Sequence, residues 1–144
     1  MSYKKIQVLM LEPGKYPAPT TLSTSANALK KAVNKGIENN YKVQCKRISG
    51  ELCVLYNNNQ IQSPLAPNRK IYGEILCGVI YIVAVTPDNK LRSLTFKEFQ
   101  KCIRRFWFPE EYTAEEATVN NLTYLYQRQC KGVTSRAVKV DFHN

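Results

Sequence analysis

The sequence has little of the chemistry that most enzymes use. It contains a single histidine, His143, next to the last residue, so a histidine-based catalytic triad is not expected. No serine, cysteine or lysine stands in a recognisable nucleophile elbow or glycine-rich turn, and no phosphate-binding loop occurs. We therefore predict a protein that is not an enzyme, has no catalytic residues and uses no cofactor.

The cysteines lack the spacing of a metal site. They form no Cys-x-x-Cys pair, and their separations match no zinc pattern. Three lie in apolar runs, where a reduced thiol behaves as a small hydrophobic residue. The paired carboxylates at Glu110–Glu111 and Glu115–Glu116 are better explained by the favourable field at a helix N-terminus than by metal binding. We expect no metal site. The five cysteines are Cys45, Cys53, Cys77, Cys102 and Cys130.

Long apolar runs are also missing. No stretch of about 18 apolar residues could span a bilayer. The first residues lead into only six largely apolar residues before Glu12, which is too short for a signal peptide. With the reduced cysteines, this predicts a cytoplasmic protein with no membrane partner. At 144 residues the chain is about one domain long.

Acidic residues are scarce. Eleven Asp and Glu stand against 21 Lys and Arg, which gives a formal net charge of +10. Such a field attracts phosphate backbones, acidic protein faces or anionic lipid. Residues 1–72 hold 11 basic against 3 acidic side chains and residues 73–144 hold 10 against 8, a hint that the first half supplies the binding face. The alternative is that the basic residues simply keep a small protein soluble.

Apolar periodicity and turn residues predict most elements of the first 90 residues. Residues 15–20 carry two prolines and are expected to be extended but irregular. The expected elements are a strand at 6–11, a helix capped at Ser23–Ser25 and ended by Gly36, a hairpin of strands 41–48 and 51–56, an ordered loop at 63–69, and a central strand at 75–85 with a bulge or close approach at Gly78.

Two capping boxes predict the remaining helices. Thr95 with Glu98 begins one helix, and Thr113 with Glu116 begins another that runs to about Gln129 and is closed by Gly132. Residues 136–142 alternate as a short strand does. The fold class is therefore α+β, with a mostly antiparallel sheet of four to five strands and two to three helices. Residues 1–112 form the core domain, and 113–144 form a C-terminal helix and strand packed on it.

An ordered set of short motifs resembles a known family. The set comprises Val-Leu-Met-Leu-Glu-Pro-Gly-Lys at 8–15, Pro-Asn-Arg at 67–69, a strand centred on Gly78, Ser-Leu-Thr at 93–95 and Phe-Pro-Glu-Glu at 108–111. It resembles small domains of uncharacterised function encoded by bacteriophages and conjugative elements of Gram-positive bacteria, over residues 6 to about 112. The resemblance implies accessory work in a bacterial host cell, such as regulating replication or blunting host defence. The family is usually acidic to neutral, whereas this chain is strongly basic.

Basic and aromatic side chains are the candidate binding residues. Arg69, in the proline-bounded loop, is the expected clamp for a phosphorylated ligand, and Trp107 is the expected anchor of a protein interface. Four tyrosines in or near the strands could stack nucleic-acid bases, or could be half-buried sheet residues: Tyr41, Tyr56, Tyr72 and Tyr81. The complete set of candidate binding residues is Lys42, Lys46, Arg47, Asn68, Arg69, Lys70, Arg104, Arg105 and Trp107.

Three functions are compatible with these features. The first is a counter-defence inhibitor of a phage or mobile element that binds a host defence protein or nucleoprotein, or occupies a nucleic-acid-binding site. The second is direct binding of DNA or RNA. The third is a sponge that sequesters a nucleotide signal in an arginine-lined pocket. The sequence leaves the oligomeric state open.

Overall fold

The computed structural model describes residues 4–38, 40–130 and 136–141. Its architecture is α+β, as the sequence predicts, with three helices and mostly antiparallel sheet in the described residues. In chain order the elements are β1 (Lys5–Leu11), β2 (Ala18–Ser23), α1 (Ala26–Val33), β3 (Val43–Ser49), β4 (Leu52–Asn57), β5 (Pro67–Ile71), β6 (Glu74–Cys77), β7 (Ile80–Val85), β8 (Leu91–Arg92), α2 (Phe96–Arg105) and α3 (Ala114–Cys130).

The main sheet is antiparallel and has the order β2-β1-β7-β4-β3, with the short β8 paired to β7. β7 is the central strand, and all six of its residues are buried. Because side chains alternate along a strand, Ile80, Ile82 and Ala84 face one core while Tyr81 and Val83 face the other. The sheet is therefore covered on both faces, which explains the continuous apolar run in the sequence.

Different elements cover the two faces. α1 covers one face through Leu29 and Val33. The other face packs against α2, through Cys102 and Phe106, and against the two-stranded sheet formed by β5 and β6. α1 and α2 consequently lie on opposite sides of the main sheet.

β2 is an element that the sequence did not predict. Its pairing with β1 runs from Ala18 opposite Met10 to Ser23 opposite Lys5, through the proline-containing segment expected to be irregular. Proline removes a backbone donor and is tolerated where the outer side of the strand has no partner. β2 lies at the edge of the main sheet, which is where prolines can be placed.

The predicted loop at 63–69 and strand at 75–85 also need correction. Residues 67–69 belong to β5, and the long apolar run is two strands, β6 and β7, in different sheets. The break falls at Gly78, which has φ +86°, and a Cβ there would lie 2.6 Å from the Leu65 side chain. Glycine is required both for the left-handed backbone and for this close approach, which the sequence did predict.

Both predicted capping boxes are present. Thr95 and Glu98 exchange backbone and side-chain hydrogen bonds at the start of α2, and Thr113 and Glu116 do the same before α3. α3 contacts β6 mainly through a polar anchor: the Asn121 side chain accepts from the Ile75 N–H and donates to two carbonyl oxygens. The predicted end of the helix at Gly132 lies outside the described residues.

The C-terminal segment 136–141 pairs with the free edge of β3. The Arg47 N–H donates to the Arg136 carbonyl, and the Val138 N–H donates to the Cys45 carbonyl, each at 2.8 Å. The segment thus pairs with a sheet edge as predicted, but it forms an isolated bridge, Lys46 opposite Ala137, and no strand within the described residues, and Phe142 lies outside them. Four cysteines are buried free thiols and Cys130 is exposed. Among the described helices, none is long and apolar enough to cross a membrane.

Candidate functional site

Two of the predicted binding residues lie inside the protein. Arg69 is 0% exposed, and its guanidinium donates to the carbonyl oxygens of Phe106 and Lys15 and to the side-chain oxygen of Asn68. The Asn68 amide in turn donates to the carbonyls of Leu11 and Gly78. Both residues were predicted to bind a partner. These predictions are wrong, because the hydrogen-bond donors of both side chains already join β5 to neighbouring segments.

Lys46 is also buried, although the alternation of β3 predicted a solvent-facing lysine. Its side chain is 3% exposed, and the ammonium lies 2.8 Å from the Glu74 carboxylate and 3.2 Å from the Ile71 carbonyl. It also lies 4.8 Å from the centre of the Tyr124 ring. The β5–β6 hairpin and α3 cover this part of β3, which is why the sequence pattern was misleading.

Four other predicted residues are more accessible but lie apart from one another. Lys42 and Lys70 are exposed, at the start of β3 and within β5. Arg47 pairs with Cys53, so its side chain is on the α1 side of the sheet, and it donates to the Gly50 carbonyl. Trp107 is 43% exposed and stacks on Tyr16, with ring centres 4.8 Å apart. These residues do not form one site.

The structure brings the other two predicted residues, Arg104 and Arg105, together with further cations. α2 exposes four basic side chains, of which Lys101 approaches the Ser49 hydroxyl at 3.4 Å. Three further cations lie beyond the turn between β5 and β6. They are Arg136 and Lys139 of the C-terminal segment and Arg128 of α3. We call these seven residues the basic strip: Lys97, Lys101, Arg104, Arg105, Arg128, Arg136 and Lys139.

Tyr72 joins the two halves of the basic strip. The guanidinium carbon of Arg136 lies 3.6 Å from the centre of its ring and that of Arg105 lies 5.4 Å away. Its hydroxyl donates to the Ile48 carbonyl at 2.5 Å. The ring is therefore held between α2 and the C-terminal segment while 39% of the residue stays exposed.

The backbone at Tyr72 is strained. Tyr72 and Gly73 form the two-residue turn between β5 and β6, with φ values of +48° and +88°. Two residues with positive φ in succession are typical of a type I′ turn, which strongly favours Asn or Gly at the first position. A bulky side chain in the left-handed region is unfavourable, and such strain concentrates at functional sites.

The charges of the basic strip are not neutralised locally. None of its seven side chains lies within 4.0 Å of a carboxylate of a described residue. The pKa of Tyr72 is lowered, chiefly by a hydrogen bond with Arg105 and further by the charges of Arg105, Arg136 and Lys101. A lowered tyrosine pKa is the expected effect of uncompensated cations, and an anionic ligand would experience the same field.

Two hollows flank Tyr72. Five residues of α2, from Lys97 to Arg105, line a shallow hollow of about 330 Å³. On the other side, a half-enclosed cavity of about 560 Å³ lies between β3, α3 and the C-terminal segment. Its walls include the rings of Tyr56 and Tyr124, the buried Lys46, and three members of the basic strip: Arg128, Arg136 and Lys139.

Sequence reasoning identifies only the α2 part of this surface. All seven strip residues come from the second half of the chain, whereas the charge count pointed to the first half. Helical spacing indicates that Lys97, Lys101, Arg104 and Arg105 form a basic helix surface, although only Arg104 and Arg105 were predicted to bind. No local signal places Arg136 beside Tyr72, because the contact depends on the pairing of the C-terminal segment with β3.

Comparison of the chain with protein-family models, with curated proteins and with solved structures finds no match. The resemblance to domains of phages and conjugative elements therefore stays a prediction. Within residues 4–38, 40–130 and 136–141, no group of three His, Cys, Asp or Glu side chains is close enough together to hold a metal ion.

Proposed function

We propose that the protein is a non-enzymatic nucleic-acid-binding protein, whose basic strip binds the phosphate backbone of DNA or RNA. The observation that carries this proposal is a set of seven cations that line two hollows and meet at Tyr72 through Arg105 and Arg136, none of them paired with a carboxylate of the described residues. Lys and Arg side chains that neutralise phosphates supply most of the affinity of sequence-independent binding.

The composition of the strip favours nucleic acid over a protein partner. Protein interfaces have an apolar centre in which aromatic anchors are fully desolvated. Phe96, at the start of α2, is the exposed large apolar side chain next to Lys97 in the sequence, and the other exposed ones besides Tyr72 lie at Tyr16, at Trp107 and Phe108 after α2, and on α3. Tyr72 lies between Arg105 and Arg136, and an aromatic ring beside several cations is typical of a nucleic-acid-binding groove.

The predicted counter-defence role would use the same surface. An inhibitor that occupies a nucleic-acid-binding site, or that binds an acidic host protein, needs a row of unpaired cations, and its partner would carry carboxylates rather than phosphates. A role in a phage or mobile element is thus compatible with the strip. It remains a proposal that rests on the resemblance alone.

The test is fluorescence anisotropy with a labelled 20-nucleotide random-sequence strand and its duplex, titrated from low salt upwards. We expect binding whose affinity falls linearly on a logarithmic salt scale. The double variant Arg104→Gln/Arg105→Gln should weaken binding at least about tenfold and reduce the salt slope by about 1 to 2, because two phosphate contacts are removed.

The matched control is Lys30→Gln/Lys31→Gln on α1, which removes the same charge from the opposite side of the main sheet. It should leave affinity and slope almost unchanged. Equal losses in both double variants would show that net charge alone acts, and the proposal would be abandoned. Binding of polyglutamate without binding of either oligonucleotide would instead assign the strip to an acidic protein.

A further inference from the structure

The cavity beside Tyr72 has the size and enclosure of a small-ligand site. Its volume of about 560 Å³ falls within the range of sites that bind drug-sized ligands. Its walls come from three separate parts of the chain: β3 and β4, the middle of α3, and the C-terminal segment. Pairing of the C-terminal segment with β3 closes one side, so the cavity exists only in the assembled fold.

Tyr56 presents an unused hydrogen-bonding group to this cavity. The residue is 6% exposed, and its hydroxyl has no hydrogen-bond partner among the described residues. The residue lines the cavity, and its hydroxyl is not among the fully buried polar atoms that lack a partner, so the hydroxyl keeps some solvent access. Burial and the charge of Glu74 raise its pKa, so the group stays protonated and can donate. Buried hydroxyls normally have a partner, and a ligand could supply it.

The charges around the cavity are divided between its floor and its rim. On the floor, the buried Lys46 is paired with Glu74, which lies behind the lining, so the charge of Lys46 is largely neutralised. On the rim, Arg128, Arg136 and Lys139 have no carboxylate of a described residue within ion-pair distance. The cavity therefore favours a ligand with an anionic group at its mouth and a neutral polar part inside.

The rings of Tyr124 and Tyr56 are the third feature of the cavity. Tyr124 lies over Lys46 on one side, with its centre 4.8 Å from the ammonium, and Arg128 lies 5.8 Å from the same ring. Tyr56 is close enough to Arg128, Glu74 and Tyr124 for their charges to act on it. The cavity lining thus contains two tyrosines and a hydroxyl donor, groups that are suited to a nucleobase.

We propose that this cavity binds one nucleotide, with the base against Tyr56 and Tyr124 and the phosphate on Arg128, Arg136 and Lys139. The inference rests on the proposed function and deepens it, because Arg136 belongs both to the cavity rim and to the contact with Tyr72. A strand that lies along the basic strip can place one unstacked nucleotide in the cavity, whereas a duplex cannot. A free nucleotide carries the same chemical groups and is the second source of the ligand.

The experiment measures the binding of three kinds of ligand by isothermal titration calorimetry. They are the four ribonucleoside 5′-monophosphates, each titrated separately, a single-stranded 8-mer, and a 20-base-pair duplex. The key variant is Tyr56→Phe, which removes only the hydroxyl. We expect it to weaken binding of the 8-mer, or of a monophosphate, by about fivefold and to leave the duplex unaffected. Arg128→Gln, a change at an exposed residue that does not threaten folding, should weaken the same ligands.

The matched control is Lys97→Gln, which lies in the basic strip on α2 and outside the cavity lining. It should weaken the duplex and leave a monophosphate unaffected. A monophosphate that binds identifies a free nucleotide as ligand, whereas binding of the 8-mer alone identifies a strand. Unchanged affinity of both ligands in Tyr56→Phe and Arg128→Gln overturns the cavity assignment while duplex binding still supports the strip. If the protein binds a monophosphate but no duplex, only the proposal that the basic strip binds a phosphate backbone is overturned.

Discussion

Arg69 and Arg105 both contact Phe106, yet they lie in opposite kinds of environment. Arg69, on β5, donates to the Phe106 carbonyl from a position with no exposed surface. Arg105, at the end of α2, lies 5.3 Å from the Phe106 ring and keeps its charge at the surface beside Tyr72. One arginine is enclosed by carbonyl oxygens, and the other belongs to a row of cations.

The difference between these regions is in the acceptors that surround each guanidinium. Around Arg69, three segments that are far apart in the chain turn oxygen atoms inwards, at Lys15, Asn68 and Phe106. A buried charge is tolerated only when its donors are satisfied in this way. Around Arg105, two aromatic rings and the Tyr72 hydroxyl take the place of the carbonyl oxygens and leave capacity for an external anion. The comparison shows that an arginine is available for binding only when the fold leaves its donors unsatisfied.

Truncation of Arg69 is expected to give the largest effect. Arg69→Ala removes three hydrogen bonds and leaves a cavity, so the free energy of unfolding should fall by about 4 kcal/mol or more. Urea denaturation measures the change. Arg105→Ala removes the same side chain from the surface and should alter the free energy of unfolding by less than about 1 kcal/mol. Similar losses for the two variants would contradict the division between a structural and a binding arginine.

The elements that the sequence predicted well are those fixed by near neighbours. The capping boxes join residues three apart, such as Thr95 and Glu98. The strand β3 follows from alternation, and β1 and β4 follow from short apolar runs bounded by turn residues. β2 and β5 were not predicted, because proline argues against a strand unless the segment lies at an edge or begins the strand. Position in a sheet is a tertiary property, which a single segment does not encode.

The site was less predictable than the fold, for the same reason. Arg104 and Arg105 could be identified because helical spacing alone exposes them. Arg69 could not be assigned correctly, since its burial depends on carbonyl oxygens 54 residues earlier and 37 residues later in the chain. Tyr72 was recognised only as one of several tyrosines near strands. Its place between two arginines depends on the docking of both α2 and the C-terminal segment.

Arg92 is an intermediate case, because its guanidinium donates hydrogen bonds to carboxylates. It makes two hydrogen bonds to Glu98, at 2.8 and 3.0 Å, and one to Glu51. The hydrogen bond from Arg92 lowers the pKa of Glu98 below its ordinary value of 4.5. The folded protein therefore binds this proton less readily than the unfolded chain. The resulting stabilisation is complete at neutral pH and is lost as pH falls below about 4.5 and through the folded-state pKa.

The matched change is Glu98→Gln, which keeps a side chain able to complete the capping box. At pH 7 it should lower the free energy of unfolding by about 1 kcal/mol, the size expected of a partly exposed ion pair. The deficit should shrink as pH falls below 4.5 and through the folded-state pKa of Glu98, because the carboxyl then becomes protonated in both states. Denaturation curves over a series of pH values between 7 and 2 test this, and a deficit that does not change with pH would mean that the loss is not electrostatic.

The smallest effect on the free energy of unfolding is expected for Lys97→Gln, and the sign of that effect shows whether Lys97 serves binding or folding. Lys97 is the second residue of α2, and a cation in the first turn of a helix is unfavourable next to the positive end of the helix dipole. It also lies four residues before Lys101, and like charges at that spacing repel. Lys97→Gln should therefore raise the free energy of unfolding by about 0.5 kcal/mol while weakening duplex binding.

Arg104, one heptad further along the same exposed face, lies in the last turn, where a cation is favourable, so Arg104→Gln should weaken binding and lower stability slightly. Opposite signs in the stability of these two variants, with the same sign in their affinity, would show that the helix keeps Lys97 for binding and not for folding. If Lys97→Gln is instead destabilising, the cation contributes to the fold, and the basic strip loses its distinction from the region around Arg69.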